Sequence, residues 1–222
     1  MTETTSGSSL DVRGLILVPA VITLAITLLR LAGELGHRSH ILFNTAAGGG
    51  MAIIGISWLP FIFGPYFAVK LVRAGHGPSG AWKTFGLTVL GIVILMVGGV
   101  IGFGPQIKFP GREILGILLM VLGPALVIFG WPALFKVLVA YGYAARIPVV
   151  ILMFFALRGQ WGTHYDALPA GYSGTSFLRE YMMLAVLPQM VIWIAFTVLV
   201  GALVGSLVCA LAFRGKTTSV AA

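Results

Sequence analysis

Acidic residues and cysteine are both scarce in this chain, and each scarcity excludes something. Only six carboxylate side chains occur, Glu3, Asp11, Glu34, Glu113, Asp166 and Glu180, against fourteen Lys and Arg. So few acids leave the apolar runs without the relay of buried carboxylates that a proton pump needs. The single cysteine, Cys209, rules out an intrachain disulfide and says nothing of the redox compartment. Charge of either sign is also thin, at 9% of residues against 59% hydrophobic. Soluble domains carry roughly a quarter charged residues, so a soluble fold of this length cannot hide the apolar surface. Lipid must solvate most of the chain.

What is present is a series of apolar runs long enough to cross about 30 Å of hydrocarbon as helices. The pattern predicts an all-α, polytopic membrane bundle with spans at about 12–31, 45–72, 85–103, 114–140, 141–157 and 181–213. Residues 1–11 read as a disordered polar lead, 12–213 as one membrane domain and 214–222 as a short tail. The first run has no cationic region before it and no small-residue cleavage site after it, so it is expected to be retained rather than removed. Span two is interrupted by Gly48-Gly49-Gly50, Pro60 and Gly64-Pro65, and span four by Gly123-Pro124 and Gly130-Trp131-Pro132, which predicts kinks. The last run is too long to cross upright, so it must tilt, bend at Pro188 or project.

The segment from Tyr141 to Leu157 decides the count. It is a thin crossing of about 25 Å at 1.5 Å per residue, with Arg146 placed at its cytoplasmic end. The alternative is five spans and a re-entrant segment. Basic residues number eight on the N-terminal side and six opposite under either plan, so the bias places the N-terminus in the cytoplasm without separating the plans. Six spans are preferred, because re-entrant backbone needs surrounding protein and a chain this small supplies little. A cell membrane of bacterial type is the expected location. The net charge of +8 sits singly at the ends of runs, as in loops and headgroup contacts, so nucleic acid is not an expected partner and the lipid bilayer is.

Three groups of residues carry candidate chemistry. Glu34, His37 and His40, spaced three and three, would share a helical face and are the candidate metal ligands. Their spacing matches no strong zinc pattern and no cofactor is expected; the plain alternative is an interfacial loop with Glu34 beside Arg30 one turn away. Trp161-Gly162-Thr163-His164-Tyr165-Asp166 offers His164 as a base with Asp166 as its orienting partner, or else an aromatic interfacial cap in which Asp166 starts a turn. With six spans, the two groups share one membrane face.

The third group is an echo between spans two and four, in which breaks at Pro60, Gly64 and Pro65 match breaks at Gly130 and Pro132. Paired interrupted spans point to a transporter site, and Arg146, a costly cation beside an apolar block, is placed near it as a ligand contact. The leading expectation is therefore a small transporter or transport-associated membrane subunit. The alternatives are a membrane-embedded enzyme acting on a lipid or quinone through His164 and Asp166, and a non-catalytic scaffold. Gly98, Gly102, Gly201 and Gly205 repeat a small-xxx-small spacing that joins helices either within one chain or between a homo-oligomer or membrane partners.

Overall fold

A computed structural model describes residues 10–50, 52–172 and 176–213. The lead before Leu10 and the tail 214–222, with Arg214 and Lys216, lie outside the described residues. Those described are all helical, with no strand among them. The helices are α1 (Val12–Leu35), α2 (Leu59–Arg73), α3 (Ala81–Phe103), α4 (Arg112–Ala125), α5 (Pro132–Gly159), α6 (Phe177–Tyr181) and α7 (Trp193–Ala212). A 3-10 turn, Leu126–Phe129, extends α4, and two π-helical segments, Met182–Val186 and Pro188–Ile192, join α6 to α7 in one rod. Five helices are long and apolar enough to cross a membrane. The sixth, α2, has 15 residues, or about 22 Å.

The surface is inverted relative to a soluble protein. On α1, the side chains of Leu17, Val18, Val21, Leu28 and Leu29 are exposed, while the buried residues are Pro19, Thr23, Thr27, Arg30, Gly33 and Glu34. Lipid solvates the apolar face and the polar stripe turns inward, where hydrogen bonds can satisfy it. Thr23 meets the Tyr141 hydroxyl at 2.8 Å, and the Tyr165 hydroxyl donates to the Thr27 carbonyl at 3.3 Å. Asp11 caps the start of α1 by accepting from the Gly14 amide at 2.9 Å.

At the centre, α2, α5 and α7 pack together. Leu59, Phe63, Phe67 and Leu71, four residues apart, form the buried stripe of α2, and Phe63 and Phe67 bracket Tyr141 at centroid distances of 5.4 and 5.5 Å. Glycines allow the closest approaches. A Cβ on Gly64 would lie 2.4 Å from the Gly201 carbonyl oxygen, and one on Gly116 would lie 2.5 Å from the Gly102 Cα. Gly98 and Gly205 likewise meet backbone of α4 and α2. The small-residue repeats thus seat helices within this chain.

Two segments differ from the sequence reading. Residues 45–58 are not part of a helical span: Gly48, Gly49 and Gly50 all have positive φ, and Pro60 starts α2 rather than kinking it. A proline fits the first turn of a helix because no intrahelical partner is lost there. The break at Gly130-Trp131-Pro132 is a turn between helices rather than a kink within one, and α5 runs unbroken past Tyr141 to Gly159. The expected spans 114–140 and 141–157 are therefore redivided at residue 131. Arg146 falls near the middle of α5, about 20 Å from either end, and not at a helix end.

The redivision also explains how the loop 74–80 is held. Ser79 donates through its amide and hydroxyl to the Gly130 carbonyl, at 3.1 and 3.0 Å, and the Trp131 indole donates to the His76 carbonyl at 2.7 Å. At the far end of α5, His164 meets Glu34. The histidine and the glutamate that the sequence places on one face do share one end of the bundle.

Gly64→Val is expected to lower the thermal unfolding temperature sharply, by about 1–3 kcal/mol or more of overpacking strain, because its Cβ meets backbone. Gly86→Ala, which has open space around the same position, is expected to be neutral or stabilising by up to about 1 kcal/mol. Circular dichroism melts in detergent check both.

Candidate functional site

A cavity of about 300 Å³ opens between α1, α5, the π-helical rod, the loop 45–58 and the loop after α5. Its polar lining includes Thr27, Arg30, Arg146, His164, Tyr165 and Gln189. Non-helical backbone at Gly48, Gly49 and Gly55 closes one side. Irregular backbone is tolerated among membrane helices where it lines a cavity.

Arg30 organises that side. Its Nε donates to Glu34 Oε1 at 2.7 Å, and one Nη donates to the carbonyls of Asn44 at 3.0 Å and Gly49 at 2.8 Å. A Cβ on Gly49 or Gly55 would come within 3.1 Å of the guanidinium, so these glycines let the loop fold around the cation. Glu34, 2% exposed, is shared. Its Oε2 accepts from the His164 amide at 2.9 Å, and both carboxylate oxygens lie 2.6–2.8 Å from His164 Nδ1.

Burial pushes the His164 imidazole below its ordinary pKa, the hydrogen bond to Glu34 opposes this, and the Arg30 charge reinforces it. Nδ1 faces two carboxylate oxygens, which can only accept, so it is the donor of that contact. Burial likewise raises the Tyr165 phenol above its usual value, leaving it a donor.

Arg146 has a different environment. It is 4% exposed, yet no carboxylate lies within ion-pair distance of it among the described residues. Its Nη1 donates to Gln189 Oε1 at 3.1 Å, its guanidinium stacks over the Trp193 ring at 4.4 Å, and its buried Nε has no hydrogen-bond partner. The π-helical turns around Pro188 place Gln189 and Trp193 there. Proline lacks an amide donor, and the wider turn accommodates the loss.

The sequence candidates divide around this cavity. Arg146 and His164 line it, and Glu34 holds His164 from behind. Asp166 is not the partner of His164: its oxygens accept from the Gly162 amide and from the Thr163 amide and hydroxyl, at 2.8, 2.8 and 2.6 Å, which makes it the cap of a turn. Glu34, His37 and His40 do not share a helical face, because α1 ends at Leu35 and His37 has φ of 48°. His37 and His40 are exposed, and no three His, Cys, Asp or Glu converge as a metal shell among the described residues. Pro60, Gly64, Pro65, Gly130 and Pro132 do not line the cavity; Gly64 and Gly130 seat against Gly201 and Thr84.

Sequence reasoning missed Gln189 and Trp193, and it missed Arg30 as a cavity wall. A signal existed for α1, since Thr23, Thr27, Arg30 and Glu34 recur at spacings of four, three and four. That is one face of a helix.

Removing one partner of the Arg30–Glu34 pair leaves a buried charge, which costs about 3–5 kcal/mol. Glu34→Leu is therefore expected to unfold at far lower temperature, and Arg30→Met with Glu34→Leu to recover much of the loss, since apolar replacement of a whole buried pair is often close to neutral. A double-mutant cycle of melting temperatures checks this. No protein-family model, curated protein or solved structure matches this chain, so its functional reading rests on the chemistry of this cavity.

Proposed function

We propose that this protein is an integral membrane protein of six crossings that takes an anionic ligand into a cavity within its bundle, as a small transporter or transport-associated subunit. The observation that carries the reading is Arg146. An arginine keeps its proton under all ordinary conditions, and a cation without a counter-charge at mid-helix depth is among the costliest groups a membrane protein can hold. An anion entering the cavity would supply the missing charge and a partner for Nε. The non-helical loop 45–58 and the π-helical rod around Pro188 support the reading, since interrupted elements beside a cavity are how transporters expose backbone to a solute.

Six crossings follow if α2 counts as a short span. Glu34 and His164 then share one side, with His76 and Gly130 on the other. With Arg146 removed from the basic count, the charge bias toward a cytoplasmic N-terminus narrows to a single residue. Cysteine substitutions at His37, His76 and His164, in a Cys209→Ser background, test the plan with a membrane-impermeant thiol reagent. Positions 37 and 164 are expected to label from one side and 76 from the other; labelling of 37 and 164 from different sides rejects six crossings.

A second reading, a membrane-embedded enzyme acting on a lipid or quinone, is favoured by one observation. His164, oriented through Nδ1 by Glu34, lines the same cavity as Arg146, as a general base requires. His164→Gln separates the readings, because an enzyme loses turnover and a binding protein keeps its ligand.

Anion binding is tested by melting the protein in zwitterionic nanodiscs across a series of carboxylates from acetate to decanoate. At least one is expected to raise the unfolding temperature, by about 2.7 kcal/mol of stabilisation at a hundred times its dissociation constant. Arg146→Gln is expected to abolish that rise while leaving the unliganded protein as stable or more so, because it removes an unbalanced charge. If no anion shifts the melt, or Arg146→Gln responds as the wild type does, the reading fails. Uptake into proteoliposomes then separates a carrier from a binding subunit.

A further inference from the structure

The cavity does not end at Trp193. A second hollow of about 360 Å³, lined by Ser57, Trp58, Phe61, Ile192, Trp193 and Phe196, shares Ser57 and Trp193 with the first. Trp58 and Phe61 are 42% and 51% exposed, so this hollow is an open groove on a flank of the bundle. Five of its six residues are apolar or aromatic. The inner cavity also has apolar lining at Val149, Met153, Leu157 and Leu184.

Resting on the anion-binding reading above, we propose that the ligand is a single-chain anionic amphiphile, its head against the Arg146 edge whose buried Nε lacks a partner and its alkyl chain passing Trp193 into the Ser57–Phe196 groove. The geometry separates the two halves of such a molecule. Nη1 of Arg146 is occupied by Gln189 and the guanidinium face by Trp193, so the unsatisfied Nε side is the edge left for a head. That edge matches an anionic head with two oxygens, either carboxylate or phosphate.

Size restricts the rest. The inner cavity of about 300 Å³ lies at the small end of ligand pockets and has room for roughly ten heavy atoms at about 30 Å³ each, so the end of a longer chain must leave it. The shared residues give it one exit, along the Trp193 ring and onto exposed aromatics that face lipid. A free polar anion would gain nothing from that groove. A two-chain lipid would have room for only one chain in it.

The test uses full-length protein in zwitterionic nanodiscs, with binding read from Trp fluorescence and melting. The probes are decanoate, decyl phosphate, acetate, inorganic phosphate and decanol. Decanoate or decyl phosphate is expected to bind about tenfold or more tighter than its short counterpart, since each buried methylene adds to affinity. Which of the two binds assigns the head, and either supports the proposal. Arg146→Gln is expected to abolish binding of both. Phe61→Ser, at an exposed groove position outside the inner cavity, is expected to weaken the long-chain probe and leave acetate and phosphate unchanged, and Ser57→Phe, which fills the junction, is expected to weaken the long-chain probe.

Equal affinity for short and long anions, with both groove variants silent, overturns the amphiphile and leaves the anion site standing. Decanol binding as tightly as decanoate, with Arg146→Gln silent, overturns both.

Discussion

A charge inside a helical bundle calls for another charge, and of the two arginines buried among the described residues one has a carboxylate beside it and the other has none within ion-pair distance. Arg30 is answered within its own helix by Glu34, one turn on, at 2.7 Å. One of its Nη groups donates to two loop carbonyls. That network also fixes the loop 45–58 against α1 and the segment after α5 against Glu34. Three pieces of chain far apart in sequence are therefore held by one ion pair, and together they form the walls of the cavity. The fold of that end of the bundle depends on it.

The irregular segments follow from the same constraint. A straight helix from residue 45 would keep its carbonyls to itself and have none to offer Arg30. Left-handed glycines at 48, 49 and 50 turn the backbone so that Gly49 accepts from the guanidinium. On the opposite wall, a regular α-helix through Pro188 would leave the carbonyl one turn before it without its amide, and the π-helical turns take up the defect. Both departures from regular helix border the cavity. The regular helices α3 and α4, which do not, pack through glycine against glycine.

Much of the architecture was legible because lipid-solvated helices announce themselves by length and hydropathy. Val12–Leu35 and Ala81–Phe103 were read nearly to their ends. What was not legible was what a break means. Gly130-Trp131-Pro132 and Gly64-Pro65 look alike locally, yet the first turns the chain back and the second stays within a helix. The difference lies in tertiary contacts, since the Trp131 indole and the Gly130 carbonyl are tied to the loop 74–80. That one misplaced boundary moved Arg146 from mid-helix to a membrane edge and made it look ordinary. In the same way His164 was paired with its neighbour Asp166, because local spacing cannot reveal a carboxylate 130 residues earlier. Glu34 and His164, expected on one face, do share one end of the bundle.

Magnitudes decide whether Arg146 is structural. Stacking on Trp193 contributes about 0.5–2 kcal/mol, and the hydrogen bond from the charged guanidinium to Gln189 about 1.5–3 kcal/mol. Desolvating the ion costs several kcal/mol even after relaxation. The known contacts therefore fall short or barely balance, and they leave Nε bare. The same chain shows the inexpensive solution at Arg30, a carboxylate one turn away, and α5 has none. A guanidinium serving packing alone would be better replaced by an apolar side chain of its size. One that is stacked, held at a single nitrogen and left with a bare Nε beside a cavity is not accounted for by packing.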